Sequence, residues 1–246
     1  MLTREEILRL ARARRLKPWQ EEKRYVQALV LYALSEWPVI MKGGTYLWFF
    51  HGLNRFSDDL NFTQVGVLKE GPEDVSLSLE LLGLRNRVKV LKEDRYTLTF
   101  RVDAWGPLST SEKDLCRVRV DISRREEVLL KPLPVKLDEP SYGIPIVFLR
   151  GMDLREALAE KIRAAAVRGA ARDLYDSWFL LRRGIPLDPD LLARKLEFYG
   201  IEDPKELCTE LKAIERSWRS ELEPVVFGHL PEFQDAYWEI ATALNC

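Results

Sequence analysis

Two short motifs near the start of the chain constrain its fold more strongly than any other feature. The first is Lys42-Gly43-Gly44-Thr45, a Gly-Gly turn with a hydroxyl, followed by an apolar run up to Phe50. When such a turn opens a helix, its free backbone N–H groups and the positive end of the helix dipole are available to a phosphate. We therefore predict a short helix over residues 45–50 whose start binds a phosphate group.

The second motif, Ser57-Asp58-Asp59-Leu60-Asn61-Phe62, places oxygen-bearing side chains in a predicted strand over residues 59–63. Side chains on a strand repeat every two residues, so Asp59 and Asn61 point to the same side and Asp58 to the other. Oxygen ligands beside a phosphate-binding turn are typical of a site for a Mg²⁺-bound nucleotide. Taken alone, Asp59 also fits an ordinary turn residue in a Ser-Asp-Asp sequence.

A third acid, Asp121, lies inside the apolar run Val118–Ile122, which we predict to be a buried strand. A carboxylate there is costly to bury unless it binds a cation or is well hydrogen-bonded. The alternative is a strand-end position that faces solvent. Two neighbouring strands that present oxygens near a Gly-Gly-Thr turn are what nucleotidyl transfer requires, because Mg²⁺ must bridge the phosphates there.

Hydrophobic spacing predicts the remaining elements. Residues 3–36 have helical spacing, and Pro38 is expected to end the second of two helices. Alternation on either side of Asp94-Arg95 predicts a hairpin, and Asp203-Pro204 is a helix start signal. The other predicted strands are 87–93, 96–103 and 144–149. The other predicted helices are 73–84, 153–168, 171–183, 188–199, 204–222 and 231–244.

This order of elements predicts three parts and an α/β (α+β) fold class. N-terminal helices occupy residues 1–37, an α/β core with a mixed β-sheet occupies residues 38–152, and a helical C-terminal domain occupies residues 153–246.

Composition excludes several classes of protein. The 246 residues are 46% hydrophobic and 31% charged, as in a soluble globular protein, and no apolar run reaches the length of a membrane span. The net charge of −1 excludes a polycation, and the two histidines leave little room for a histidine-based zinc site. Three widely spaced cysteines and a start without an apolar signal-peptide core favour a reducing cytoplasm.

The helical half has its own cluster of charges. Lys161, Arg168 and Arg172 have spacings that would put them on one face of a continuous helix, where they would leave a positive surplus for a polyphosphate. Asp173 and Asp176 are placed to pair with such cations through charge-assisted hydrogen bonds. The alternative is an ion-pair network between helices without a catalytic role.

Together these blocks resemble a known family. The series Lys42-Gly43-Gly44-Thr45, Arg55-Phe56-Ser57-x-Asp59-Leu60-Asn61-Phe62, Val120-Asp121-Ile122, Glu160-Lys161 and Arg168-x-x-x-Arg172-Asp173-Leu174-Tyr175-Asp176 is similar in order and content to the AbiEii nucleotidyltransferase toxins, which include the MenT toxins. The resemblance covers residues 40–183, approximately. It implies a DNA polymerase β-type nucleotidyltransferase fold with a helical C-terminal region.

The resemblance also implies roles for individual residues. Asp59, Asn61 and Asp121 would bind the metal, Mg²⁺ or Mn²⁺. The catalytic set would be Asp59, Asp121, Lys161, Asp173 and Asp176, and the nucleotide-binding set would be Gly43, Gly44, Thr45, Ser57, Lys161, Arg168 and Arg172. The partners it implies are a nucleoside triphosphate, an RNA acceptor such as tRNA, and a cognate antitoxin protein.

One position departs from the family pattern. The Asp-x-Asp of the family reads Asp59-Leu60-Asn61 here. Asparagine keeps an oxygen for Mg²⁺ but removes a negative charge and adds an NH₂ group that cannot be a ligand. Two functions therefore stand side by side, an active Mg²⁺-dependent nucleotidyltransferase toxin and a catalytically weakened relative that binds a nucleotide, RNA or a protein.

Overall fold

The structure is a computed structural model that describes residues 1–201 and 204–246. The chain divides into two compact units, each assembled from separate segments. The sheet unit comprises Met1–Tyr46, Asp58–Val128 and Pro132–Gly151, and the helical unit comprises Leu47–Ser57, Leu129–Lys131 and Met152–Cys246. The division into residues 1–37, 38–152 and 153–246 stays a prediction.

The sheet unit is built on one mixed sheet of seven strands. Its spatial order is β3-β4-β5-β2-β1-β7-β6. Two strand pairs, β2 with β5 and β1 with β7, are parallel, and the others are antiparallel. The strands are β1 Val39–Lys42, β2 Leu60–Gln64, β3 Asn86–Asp94, β4 Thr97–Ala104, β5 Cys116–Ser123, β6 Leu133–Leu137 and β7 Val147–Gly151.

Four helices complete the sheet unit, all preceded or opened by recognisable signals. They are α1 Arg4–Arg14, α2 Pro18–Ala33, α3 Gly43–His51, which continues into the helical unit, and α4 Pro72–Leu81. Thr3 and Glu6 form a capping box at the start of α1, and Pro18 and Pro72 stand at the first positions of α2 and α4. Helix α2 ends at Ala33, so Pro38 does not end it as expected.

The helical unit contains the rest of the α-helices. They are α5 Leu154–Arg168, α6 Ala171–Arg182, α7 Pro189–Glu197, α8 Pro204–Ala213, α9 Glu215–Leu222 and α10 Phe233–Ala243. The single helix predicted over residues 204–222 is wrong, because Ile214 separates α8 from α9. The start signal predicted at Asp203-Pro204 lies partly outside the described residues.

The sheet confirms the α/β prediction and the hairpin around Asp94-Arg95. Strands β3 and β4 pair from Asn86 opposite Ala104 to Asp94 opposite Thr97, with one bulge between Val90 and Lys92. The apolar side of β4 and β5 is buried, and its residues are Leu98, Phe100, Val102, Val118, Val120 and Ile122. Alternation therefore separates one buried face from one face of polar and charged residues.

Two cysteines are joined in the helical unit. Cys208 and Cys246 form a disulfide with their Cα atoms 6.6 Å apart, and Cys116 is a buried free thiol in the sheet unit. The expectation of a reducing cytoplasm rested on cysteines without a pairing pattern, and this pair removes that basis. None of the helices described has the length and apolar character needed to cross a membrane.

Candidate functional site

The structure brings three predicted metal ligands together in the sheet unit. Strands β2 and β5 run parallel, with Asn61 directly opposite Asp121. Asp59 precedes β2 by one residue and stands two residues before Asn61. Partners in register share a face, so Asn61 and Asp121 lie on one side of the sheet. Asp59 lies just before the strand, and its carboxyl is close enough to Asp121 for the two charges to interact.

The environment of Asp59 opposes its ionisation. Burial raises the pKa of the Asp59 carboxyl above its ordinary value, and the nearby carboxylates Asp121 and Asp58 raise it further. Lys23 and Arg119 act in the opposite direction but do not cancel the rise. A carboxyl that is half-buried beside other carboxylates is typical of a position that receives a cation.

Asp121 is held by two side chains that the sequence analysis did not identify. The Thr99 hydroxyl donates to Asp121 Oδ1 at 2.7 Å, and the Arg119 guanidinium donates to the same oxygen at 3.0 Å and lies 2.8 Å from Oδ2. Arg119 stands two residues before Asp121, so strand periodicity was a signal for it. Thr99 lies opposite Asp121 on β4, and only the register of the sheet shows that.

The Gly-Gly turn opens α3 as predicted, with the helix beginning two residues earlier than expected. Gly43 has a φ of +79°, and a Cβ built there would lie 3.2 Å from both Asn61 Cβ and Asn61 Nδ2. Glycine is thus required for both the backbone conformation and the close approach of Asn61. The turn and the metal-ligand candidates therefore belong to one local structure.

Thr45 has a structural contact inside this turn. Its side chain is fully buried, and its hydroxyl donates to the Asp59 carbonyl oxygen at 2.6 Å. This hydrogen bond ties the start of α3 to the residue before β2, which fixes the backbone of Asp59. The predicted contacts of Gly44 and Thr45 with phosphate stay predictions.

The oxygen donors fit a hard cation in kind. Two carboxylates and one amide oxygen suit Mg²⁺ or Mn²⁺, and the set carries one negative charge fewer than three acids would. In the part of the chain that the structure describes, no three His, Cys, Asp or Glu side chains are grouped as metal ligands. The third donor here is Asn61, an amide.

The helical unit gathers the second predicted set around Asp173 and Asp176 of α6. Lys161 Nζ lies 2.8 Å from Asp173 Oδ1 and 2.7 Å from Asp176 Oδ2. The Arg55 guanidinium binds Asp176 through two bonds of 2.6 Å, and Arg168 binds Asp173 at 2.6 Å. Asp176 and Arg55 are buried, whereas Arg168 is 62% exposed.

These ion pairs shift the pKa of the Asp173 carboxyl and of the Lys161 ammonium group in opposite directions. Burial raises the pKa of Asp173, but Lys161 and Arg168 outweigh it, so the pKa lies below its ordinary value. Burial lowers the pKa of Lys161, but Asp173 and Asp176 outweigh it, so the pKa lies above its ordinary value. Asp173 and Lys161 are therefore charged at neutral pH and are used in ion pairs within the protein, which favours the alternative of an ion-pair network between helices.

Lys161 and Arg168 lie on α5 and both pair with Asp173, whereas Arg172 lies on α6, so the face expected on a continuous helix does not include all three. Helix α5 ends at Arg168, Gly169 follows with a φ of +64°, and α6 begins at Ala171. Arg172 is exposed on α6. Ser57 is buried, at 8% exposure, and its predicted nucleotide contact stays a prediction.

A family model now identifies the chain. The model described as "Nucleotidyl transferase AbiEii toxin, Type IV TA system" matches residues 30–245. The chain belongs to the AbiEii nucleotidyltransferase toxin family. This confirms the resemblance inferred from the motifs and extends it through the helical unit.

Solved structures share the fold. JHP933 from Helicobacter pylori is similar with a TM-score of 0.62 and 18% identity, over 93% of this chain and 91% of that one. MenT4, a nucleotidyltransferase toxin from Mycobacterium tuberculosis H37Rv, is similar with a TM-score of 0.59 and 19% identity, over 100% of this chain and 99% of that one. No curated protein matches the chain. The predicted nucleotidyltransferase fold is thus confirmed.

Proposed function

We propose that this chain is a Mg²⁺-dependent nucleotidyltransferase that transfers a nucleotide from a nucleoside triphosphate to an RNA acceptor such as tRNA. The observation that carries the proposal is the parallel pairing of β2 with β5, which sets Asn61 opposite Asp121 with Asp59 two residues away. Membership of a toxin family adds a cognate antitoxin as the proposed protein partner. Although the Cys208–Cys246 disulfide removes the cysteine argument, we propose that the chain acts in the cytoplasm, because nucleoside triphosphates and RNA, its proposed substrates, are found there.

The residues of the sheet unit have distinct roles in this proposal. Asp59, Asn61 and Asp121 would hold Mg²⁺, which when bound neutralises charge on the triphosphate. The backbone N–H groups at the start of α3 would bind phosphate oxygens, and Thr45 keeps Asp59 in place through its hydrogen bond. The acceptor hydroxyl oxygen then bonds to the α-phosphorus as the bond to the pyrophosphate oxygen breaks, so that pyrophosphate leaves and the hydroxyl proton passes to water.

Lys161 is the candidate in the helical unit for a contact with the triphosphate. Its ammonium group already lies between two carboxylates, so part of its charge is used within the protein. Arg168 and Arg172 are exposed and would add positive charge. Asp173 and Asp176 keep Lys161 and Arg55 in fixed positions, which is a positioning role.

A second candidate function is nucleotide, RNA or protein binding without turnover. Two observations favour it: Asn61 lacks the charge of the family acid, and both oxygens of Asp121 already have partners in Thr99 and Arg119. A metal ion would have to compete with the Arg119 guanidinium for Asp121. This would weaken metal binding relative to a site with three free carboxylates.

The experiment that separates the two functions is a transfer assay. The protein is incubated with each α-labelled nucleoside triphosphate, Mg²⁺ or Mn²⁺, and total RNA, and labelled RNA is resolved on a gel. Asp59→Asn serves as the control that keeps the shape of the side chain but removes its charge. Label on RNA from the wild type and none from Asp59→Asn supports the enzyme, whereas nucleotide binding without label on RNA in any condition supports the binding protein.

A further inference from the structure

The polar face of β3, β4 and β5 is strongly basic. Register places residues from the three strands side by side, with Lys89 opposite Arg101 and Arg101 opposite Arg119. The same face carries three carboxylates, so six cations leave a surplus of three positive charges. The cations are Arg87, Lys89, Lys92, Arg101, Arg117 and Arg119, and the carboxylates are Asp94, Asp103 and Asp121.

One buried carboxylate organises the middle of this face. Asp103 is 2% exposed and lies within ion-pair distance of three guanidinium groups. The distances are 2.6 Å from Arg101, 3.4 Å from Arg87 and 3.8 Å from Arg117. Glu112 lies 3.7 Å from Arg87 as a second carboxylate, and two negative charges do not neutralise three positive ones, so this fan of arginines keeps a net positive charge.

Arginine-stacked aromatic rings lie at both ends of the β3–β4 hairpin. At one end, Arg85 and Arg87 lie over the Trp105 ring at 4.1 and 5.6 Å from its centroid. At the other end, Arg95 lies over Tyr96, which is 43% exposed, at 4.4 Å. Rings that alternate with guanidinium groups are typical of surfaces that bind single-stranded nucleic acid, because bases stack on rings while phosphates bind arginine.

We propose that this face, defined by Arg87, Lys89, Arg101 and Arg117 with Trp105, binds the phosphodiester backbone of a single-stranded RNA acceptor. Arg119 continues the row of cations to Asp121, so an RNA strand on this face extends to the metal-ligand candidates. The inference rests on the proposed function and adds the surface that the acceptor occupies.

Charge and position favour RNA over an acidic protein. The cations on this face that form the fan are all arginines, whose planar groups bind phosphate oxygens in pairs, and the face leads to the residues proposed for catalysis. An acidic protein partner would need the positive charge but neither the arginine-stacked rings of Trp105 and Tyr96 nor the continuity with Asp121. A wild type that binds triphosphate but no RNA would favour such a protein partner instead.

The test compares two double variants of the full chain. Arg87→Gln with Arg117→Gln removes two exposed cations of the fan, which have side-chain exposures of 51% and 52%. Arg182→Gln with Arg219→Gln is the matched control, since it removes two exposed, ion-paired arginines at 63% exposure. Binding of a fluorescein-labelled oligouridylate of about 12 nucleotides is measured by anisotropy over a range of salt concentrations. Binding of each nucleoside triphosphate is measured on the same samples.

We expect the fan variant to lose at least about tenfold in RNA affinity and its salt slope to fall by about 1.4, which corresponds to two lost phosphate contacts on a single strand. The control keeps the wild-type affinity, and both variants bind triphosphate as the wild type does. Equal RNA affinity in the fan variant and the control overturns the inference, as does a wild type that binds no RNA but binds triphosphate. Failure of the wild type to bind any triphosphate counts against the proposed function instead.

Discussion

Among single residues, Asp59 must be ionised to bind a metal ion, but its environment favours the neutral carboxyl. Burial, together with Asp121 and Asp58, raises the pKa of Asp59, so its ionised form destabilises the folded chain when no cation is bound. A group whose pKa is raised on folding stabilises the protein below its unfolded pKa and loses that contribution as pH rises through the folded value. The carboxylate at Asp59 is thus retained at a cost in stability.

We predict that Asp59→Asn abolishes nucleotide transfer and raises the melting temperature at pH 7 by on the order of 2 °C. The gain should shrink as pH falls through the raised pKa of Asp59 towards the ordinary aspartate range, because the wild-type carboxyl becomes protonated over that interval. Thermal melts of both proteins between acid and neutral pH measure this difference. A variant that is less stable than the wild type at pH 7 would show that Asp59 is already well paired.

Asn61 is the residue at which the two proposed functions diverge. We predict that Asn61→Asp raises Mg²⁺ affinity and transfer rate by about tenfold, because it restores a carboxylate on the side of β2 that faces Asp121. Metal titration of the transfer assay measures both quantities. An unchanged or lower rate would mean that the site is adapted to an amide ligand, or that the protein binds its ligands without turnover.

At the scale of elements, the turn that opens α3 depends on a glycine that also accommodates Asn61. We predict that Gly43→Ala destabilises the protein by about 2 kcal/mol and abolishes transfer, since it strains the backbone and displaces Asn61. Gly83→Ala is the matched control, with a φ of +82° and no atom within 4 Å of the added Cβ. Urea unfolding and the transfer assay should show a smaller stability loss and full activity for the control.

Helices α5 and α6 are joined by Lys161, which lies between Asp173 and Asp176 and is 12% exposed. We predict that Lys161→Met lowers the free energy of unfolding by about 3 kcal/mol, because it leaves two buried carboxylates short of a cation. Arg182→Met, at an exposed position of α6, is the control that should change stability little.

Chemical denaturation combined with triphosphate titration separates the roles of Lys161. A nucleotide affinity that falls in Lys161→Met under conditions where the protein stays folded supports the triphosphate contact. Loss of stability with unchanged nucleotide affinity would make the ion-pair cluster purely structural.

Sequence patterns predicted elements wherever the signal was local. Alternation around Asp94-Arg95 gave the hairpin, and the Gly-Gly turn gave α3. Strand β1 has four residues between Pro38 and Gly43, too few for a period, and β6 contains Pro134, which argues against a strand. Both strands form because the neighbouring strands of the sheet pair with them, and such pairing is a property of the whole unit.

At the scale of the whole molecule, the contacts that complete each cluster join distant parts of the chain. Arg55 and Asp176 are 121 residues apart in sequence and yet form a buried ion pair. Thr99 reaches Asp121 across a strand register that no local pattern encodes. The sequence therefore predicted Asp59, Asn61 and Asp121 as a group, from period and composition, but not the side chains that hold them in place.

Contacts between distant parts of the chain also determine which segments belong to each unit. Residues 47–57 and 129–131 belong to the helical unit although they lie within the predicted sheet region. Glu156 of α5 accepts hydrogen bonds from the backbone N–H groups of Leu129 and Leu130 and thereby fixes the second of these segments. The assignment of these segments to a unit follows from tertiary hydrogen bonds, which the spacing of residue types along the sequence does not predict.

The proposed metal site is tested most directly by diffraction from crystals grown with Mn²⁺ and a non-hydrolysable nucleoside triphosphate. Anomalous scattering locates Mn²⁺ without assumptions about the ligands. We expect a Mn²⁺ peak within about 2.2 Å of oxygens from Asp59 and Asp121, with the triphosphate at the start of α3 and no peak in crystals of Asp59→Asn. A bound triphosphate with no Mn²⁺ at Asp59 and Asp121, or with Mn²⁺ held elsewhere, would contradict it.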